Sequence, residues 1–259
     1  MEFALSEEQE ILMDSVKKML DENISIDNLR EHSKGDNSLR KCLRKLIVDM
    51  GLPGLMIPEE YGGSGLGVLE ASLVAEQLGS YAVPSPWIGN SIMAPTAILF
   101  DRENNLAEEW LPLIASGEIT ACVSLSEVVG KRSDLGLVLD SKNVSGVSIF
   151  GIDGELNPAI IITAVDDNLI LVETDNNGVE INEIPTIDTT RPVVEIIFDS
   201  SKYQIISSGK NAIQKTIDVG RIGLAAEEHI SASSDGITIK DGATQLGKFT
   251  AGGATLGAT

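Results

Sequence analysis

Ile57-Pro58-Glu59-Glu60-Tyr61-Gly62-Gly63-Ser64-Gly65-Leu66 separates two helical patterns and decides how the front of this chain folds. Pro58 fixes its own φ and biases Ile57 towards an extended backbone, while Gly62, Gly63 and Gly65 permit angles that a Cβ forbids. By itself such a stretch is a helix–helix connector without chemistry. Its neighbours give it more meaning. Upstream, Ser6 stands as an N-cap with Gln9 as its capping-box partner, ahead of Leu12, Val16, Met19 and Leu20 at helical spacing. Leu39, Leu43, Leu46, Ile47 and Met50 form a second apolar stripe that runs into Gly51-Leu52-Pro53-Gly54-Leu55. Downstream, Leu69, Leu73, Ala75, Glu76 and Leu78 predict a third helix, closed by Gly79 as a left-handed cap.

Composition narrows the function classes. A chain of 259 residues with 42% hydrophobic content buries one large core or two modest ones. Lys and Arg number 19 against 39 Asp and Glu, so the net charge of −20 disfavours nucleic acid and anionic membrane surfaces as partners. No apolar run approaches the roughly 20 residues of a membrane span, and the acidic, capped N-terminus lacks the features of a secretion signal, which predicts a cytoplasmic protein. Cys42 and Cys122 are expected to be reduced core thiols. With His32 and His229 as the only histidines, both in polar helical or helix-end surroundings, there is little material for a metal centre or a Ser-His-Asp triad. Gly62-Gly63-Ser64-Gly65 follows a helix and not a buried strand, so it does not read as a phosphate cradle.

From residue 119 the period changes. Ile119–Leu125, Leu135–Leu139, Val144–Phe150, Ala159–Val165, Leu169–Val172, Val179–Ile184 and Val193–Phe198 are short β-rich runs bounded by Asp, Asn and Gly, which predicts an antiparallel sandwich or barrel. Asp175-Asn176-Asn177-Gly178 reads as a hairpin turn, because Asn-Gly tolerates positive φ at both central positions. Helical character resumes near Asn211, with Ala212, Ile213, Thr216, Ile217, Leu224 and Ala225 giving an apolar face. The fold class is therefore α+β and multidomain: helices, a small β-domain, then a helix.

The order helix, helix, Gly51-Leu52-Pro53-Gly54-Leu55-Met56-Ile57-Pro58-Glu59-Glu60-Tyr61-Gly62-Gly63-Ser64-Gly65-Leu66-Gly67, helix, Glu76-Gln77-Leu78-Gly79 resembles the N-terminal domain of the acyl-CoA dehydrogenase family. The likeness continues through Trp110-Leu111-Pro112, Gly117-Glu118 and Ala121-Cys122-Val123-Ser124-Leu125, and covers about residues 1–230. It implies a helical domain over 1–118, a β-domain over 119–203, the first helix of a truncated C-terminal bundle over 204–230, and FAD held at their junction. In the family the flavin edge is lined by a Thr-Glu-Pro-x-x-Gly-Ser-Asp pattern, which here reads Ser126-Glu127-Val128-Val129-Gly130-Lys131-Arg132-Ser133-Asp134, without the proline and with one extra residue. The resemblance places main-chain groups of Val123 and Leu125 and the Ser126 hydroxyl against the flavin, and Ser133 near the CoA end of the substrate. Read from the residues alone, the two serines also suit strand-end hydroxyls that cap a turn. A second flavin contact in the family is an aromatic-x-Thr pattern, which here becomes Phe150-Gly151-Ile152, so that Ile152 offers no hydrogen bond where a hydroxyl is expected.

Ile187-Asp188-Thr189-Thr190-Arg191 is similar to the family's Asp-x-x-Arg segment before its last strand, and Asp218-Val219-Gly220-Arg221 to the Asp-x-x-Arg of the first bundle helix in the CoA-binding region. A guanidinium suits phosphate, although an Asp and an Arg at i, i+3 also simply pair with each other. The catalytic base is the gap. The family's glutamate lies deeper in the bundle, or in a minority directly before the arginine, and Gly220 holds that second position, so no catalytic residue is assigned. Ser231 to Thr259 is rich in Gly, Ala and Thr, reads as short β-turn repeats or a loose tail, foreign or disordered, and is not suited to bundle helices.

Three readings follow. The first is an acyl-CoA dehydrogenase-like flavoprotein that desaturates an acyl-CoA thioester, incomplete as a lone chain, with electron-transfer flavoprotein as a possible acceptor. The second is a base-less subunit of a heteromeric dehydrogenase. The third is a structural or interaction protein that works through its C-terminal tail. Homo- or hetero-oligomers with acyl-CoA dehydrogenase-like subunits are expected, because a truncated bundle leaves Ile213, Ile217 and Leu224 to be covered.

Overall fold

The structure is a computed structural model and describes residues 5–101, 103–125, 136–154, 157–175, 178–186 and 193–227, together with the main chain of strands within 230–256. The helical front begins with α1 (Glu7–Asn23), whose start carries the expected capping box: Gln9 N–H donates to Ser6 Oγ at 3.2 Å and Ser6 N–H donates to Gln9 Oε1 at 2.9 Å. Two further helices, α2 (Ile26–Ser33) and α3 (Ser38–Asp49), lead into a single 3-10 turn at Leu52–Gly54. The decisive stretch follows and folds back on that turn. Ser64 N–H donates to Gly54 O at 3.0 Å, Gly65 N–H to Ile57 O at 2.8 Å and Leu66 N–H to Leu55 O at 2.9 Å, so the loop is stapled by its own main chain above buried Leu55 and Ile57. Gly62 is left-handed at φ +81, and a Cβ on Gly63 would lie 2.0 Å from Ile57 O and 2.5 Å from Gly54 O.

Next, α4 (Val68–Ser80) is tied to α1 through Glu70, whose carboxylate accepts Gln9 Nε2 at 2.7 Å and Gly67 N–H at 2.9 Å. Gly79 does not close this helix. The left-handed residue is Ala82 (φ 50): its N–H reaches Gly79 O at 3.0 Å, and Val83 N–H reaches Leu78 O at 3.0 Å. This Schellman arrangement is placed by the burial of Val83 against Leu78, which outweighs the local preference for glycine. A π-helix at Ile88–Met93 then runs directly into α5 (Ala94–Ile98), and α6 (Leu106–Ala115) completes the front.

The β-domain comprises β1 (Ala121–Ser124), β2 (Leu137–Leu139), β3 (Asn143–Gly151), β4 (Ile160–Val165), β5 (Asn168–Glu173), β6 (Val179–Ile184), β7 (Val193–Lys202) and β8 (Gln204–Ser208). They form two four-stranded sheets, ordered β1-β4-β5-β8 and β2-β3-β7-β6. The expected antiparallel sandwich holds with one exception: β1 pairs with β4 in parallel, Ala121 opposite Ile160 through Ser124 opposite Thr163. Cys122, Ile161, Ile170 and Val172 of the first sheet pack with Val144, Val194, Ile196 and Phe198 of the second. Ala121, Val123, Ile160, Ile162, Leu169 and Leu171 on its other face join the helical core. A sheet covered on both sides explains why Ile160-Ile161-Ile162 is continuously apolar while β6 and β7 alternate.

Finally, α7 (Lys210–Glu227) packs on α4, the π-helix and α5. Ile213 and Ile217, expected to need cover, are buried against this front, and Leu224 is partly buried there; the exposed apolar residue of α7 is Ile222. Two glycines permit the approach: a Cβ on Gly220 would lie 2.6 Å from Met93 Sδ, and one on Gly223 would lie 2.9 Å from the Cδ1 atoms of Ile88 and Ile92. Beyond α7, β9 (Ile230–Ser233), β10 (Gly236–Asp241), β11 (Thr244–Thr250) and β12 (Gly253–Leu256) form an antiparallel meander where the sequence suggests β-turn repeats or a loose tail. Cys122 is buried as expected, whereas Cys42 is exposed because α3 turns Leu39, Leu43 and Ile47 inwards and Cys42 out. His32 lies in the last turn of α2, a helix end as expected, but is buried there, and its Nδ1 donates to Asp36 O at 2.9 Å. Asn176, Asn177, the segment 187–192 and His229 lie outside the described residues.

Two stability predictions follow from these contacts. Gly62→Ala has open space but a left-handed φ and should cost about 1 kcal/mol, whereas Gly63→Ala drives a Cβ into two carbonyl oxygens and should cost about 3 kcal/mol or more, both read by chemical denaturation. The Gln9 side-chain hydrogen bond, with help from Gly67 N–H, holds the Glu70 carboxyl below its ordinary value of 4.5. A folded pKa below the unfolded one stabilises above the ordinary value and loses that contribution as pH falls through the lower folded value. Glu70→Gln should therefore flatten the fall in denaturation midpoint between roughly pH 5 and 3.

Candidate functional site

The end of β1 and the end of β3 meet at one corner of the β-domain. Val123 and Ile152 exchange both main-chain hydrogen bonds, Val123 N–H to Ile152 O at 3.1 Å and Ile152 N–H to Val123 O at 2.9 Å. This pairing follows from a register shift between β3 and β7 across Ser148 to Gly151, which takes Phe150 to φ 60 and turns its ring outwards, 36% exposed. Gly151 is required at the shift, since a Cβ there would lie 2.7 Å from Val194 Cγ2 and 3.1 Å from Cys122 Sγ. Beneath the corner, buried hydroxyls fasten the two strand ends: Ser124 Oγ and Ser148 Oγ share a hydrogen bond at 2.8 Å, and Thr163 Oγ1 donates to Ser124 O at 2.5 Å.

Of the residues expected to contact a flavin, Val123, Leu125, Phe150 and Ile152 thus occupy two chain ends held together, while Ser126 and Ser133 lie outside the described residues. Both main-chain groups of Val123 are engaged by Ile152, so Val123 contributes by fixing its neighbour and not by presenting a free amide. The side chains fit the apolar face of a flat ring: an outward phenyl from Phe150, half-buried Ile152 and buried Leu125. No hydroxyl joins them from position 152. Asp218 and Arg221 stand apart on α7, both exposed, 3.9 Å from each other, and Asp218 also accepts Gln214 Nε2 at 2.8 Å. An exposed pair at that distance contributes about 0.5 kcal/mol or less, which leaves the guanidinium free to turn towards an anion.

Sequence reasoning passed over Asn90 on the π-helix, whose Oδ1 accepts Ala121 N–H at 2.9 Å where β1 begins. Its only signal is a polar residue inside an apolar helical run, Ile88-Gly89-Asn90-Ser91-Ile92. Among the described residues no group of three or more His, Cys, Asp or Glu side chains is placed to hold a metal ion, and no helix is long and apolar enough to cross a membrane. A separate open groove of about 660 Å³ lies between Asp101, Asn104, Lys142, Tyr203 and Gln204, and none of the described site residues lines it.

Comparison with other proteins bears on this arrangement. Residues 6–118 match the family model of the acyl-CoA dehydrogenase N-terminal domain. Acyl-CoA dehydrogenase IpdE2 of Mycolicibacterium smegmatis is 30% identical over 144 residues, which cover 54% of this chain and 45% of that protein. Among solved structures, the ChsE4-ChsE5 complex from Mycobacterium tuberculosis matches with a TM-score of 0.75 at 20% identity, over 88% of this chain and 64% of that one. An acyl-CoA dehydrogenase from Bacillus anthracis, complexed with FAD, matches with a TM-score of 0.72 at 18% identity, over 86% and 43%. The present sequence therefore spans less than two thirds of each of these relatives, and the solved structures testify to the fold alone. Over residues 6–118 the chain is thus similar to the N-terminal domain of acyl-CoA dehydrogenases, and its fold is similar to that of solved acyl-CoA dehydrogenases.

Proposed function

We propose that the chain is an acyl-CoA dehydrogenase-like flavoprotein that acts in the α,β-desaturation of an acyl-CoA thioester. The observation that supports this reading is the Val123–Ile152 junction, which joins the two chain ends that carry Leu125 and an outward Phe150, where a flavin ring would pack. FAD, when bound, would accept the β-hydrogen as hydride. Phe150 and Ile152 would pack on the ring, and Leu125 and Ser126 would supply polar contacts from the end of β1. Ser133 would sit near the CoA end of the substrate, and Arg221, positioned by Asp218, would meet a CoA phosphate through its fork of donors.

The α-proton needs a base, and its lack slows such a step by about 10² to 10⁴. Gly220 does not provide one, and a Cβ there would lie 2.6 Å from Met93 Sδ, so that a side chain at this position would require Met93 to shift. That contact favours a second reading, in which the chain is the binding subunit of a heteromeric dehydrogenase and a homologous chain carries the glutamate. Exposed Ile222 and Arg221, side by side on α7, would then border the subunit contact, with electron-transfer flavoprotein as the acceptor.

Purified protein loaded with FAD and freed of excess cofactor should keep a visible flavin band, and an acyl-CoA added without air should leave that band unbleached until a base-bearing homologous subunit is supplied. Colourless protein after loading would remove the flavoprotein reading. Bleaching by the lone chain would remove the binding-subunit reading and leave the first.

A further inference from the structure

The Phe150 corner is held from the helical side by one carboxylate. Asp153 Oδ2 accepts Gly89 N–H at 2.6 Å and Asn90 N–H at 3.1 Å, the two consecutive amides at the start of the π-helix. Asn90 in turn takes Ala121 N–H through its Oδ1 at 2.9 Å. The π-helix, the start of β1 and the end of β3 are therefore joined within five residues of the Val123–Ile152 pair. The approach is close enough to demand glycine: a Cβ on Gly89 would lie 2.8 Å from Ile152 O and 2.9 Å from Asp153 Oδ2. Asp153 is also left-handed at φ 62, as Phe150 is at φ 60, so the short segment between them leaves β3 in a conformation the backbone does not favour by itself. Hydrogen bonds to an ionised acceptor are the strong ones, and here they oppose that local preference.

We infer that Asp153 is a positioning residue: its carboxylate clamps the π-helix to the end of β3 and thereby fixes the Phe150 and Ile152 edge against which a flavin ring packs. The inference rests on the flavoprotein reading above. Asp153 touches neither cofactor nor substrate in this role. It acts through Gly89 and Asn90, and through the carbonyl of Ile152, which the clamp keeps in register with Val123.

Two substitutions separate the carboxylate from the backbone. Asp153→Gly keeps the left-handed angle without strain and removes the acceptor; Asp153→Asn keeps the angle and one acceptor oxygen. FAD titration followed by flavin fluorescence, at a temperature where circular dichroism shows every variant folded, is expected to give about tenfold weaker binding for Asp153→Gly and less than about threefold for Asp153→Asn. Hydrogen exchange at the Gly89 and Asn90 amides should accelerate in Asp153→Gly and return towards wild type in Asp153→Asn. Gly89 and Asn90 amides as protected in Asp153→Gly as in wild type would overturn the clamp whatever FAD does. Faster exchange with unchanged FAD affinity would overturn the positioning role and leave a structural contact only. Asp153→Asn behaving as poorly as Asp153→Gly would overturn the assignment to the acceptor oxygen. Wild-type protein that binds no FAD would instead overturn the flavoprotein reading, and the positioning role with it.

Discussion

Burial of the β1-β4-β5-β8 sheet on both faces is the constraint on which the rest of this fold depends. Ile160 and Ile162 point into the helical core and Ile161 into the second sheet, all three fully buried. Each is worth about 1.5–3 kcal/mol of transfer free energy, and a one-residue slip of β4 would exchange the two sets of partners. The register of β4 fixes β1 beside it in parallel, and β1 carries Val123 and Leu125 to the corner. The same sheet fixes the helices. Ala121 at the start of β1 reaches Asn90, so the position of the π-helix, and through it of α7, is set from the β-domain.

How much of this was legible in the residues depends on how local each determinant is. The start of α1 was readable because a capping box is settled within Ser6 to Gln9. The strand runs were readable because each is a short β-rich stretch bounded by Asp, Asn and Gly. What escaped was non-local. The parallel pairing of β1 with β4 brings Ala121 opposite Ile160, and no property of either segment alone announces it. Gly79 looked like a helix end, but the end is chosen by where Val83 is buried, three residues after the glycine's own turn. β8 was missed because Gln204-Ile205-Ile206-Ser207-Ser208 is short and follows β7 after Tyr203 alone. The apolar face of α7 was read correctly as a face and wrongly as uncovered, since Met93, Ile88 and Ile92 approach it only through the gaps left by Gly220 and Gly223.

The site divides in the same way. The family resemblance supplied Val123, Leu125, Phe150 and Ile152, and the geometry explains why they belong together: a register shift ends β3 early and turns its last residues onto β1. Asn90 and Asp153 had no signal, because a single amide in an apolar helix and a single acid after a strand are ordinary until the two are found in contact. Ile152 shows how a departure from the family pattern is absorbed. The hydroxyl expected at that place is missing, yet the main chain of Ile152 still pairs with Val123, so the corner stands without any side-chain hydrogen bond from position 152.

Gly220 joins the fold to the chemistry. Gly220 lets α7 (Lys210–Glu227) approach the front of the molecule closely. Here a Cβ would lie 2.6 Å from Met93 Sδ and 3.0 Å from its Cγ and Cε, so that Met93 would have to shift to admit it. Packing of that kind gains dispersion and apolar burial along α7, and a side chain at that position would have to displace Met93. A larger residue at that position would therefore give up part of the close helix contact. The close contact at Gly220 and the exposed guanidinium of Arg221 fall on adjacent residues because the helix turns them to different sides, one into the front and one out beside Asp218.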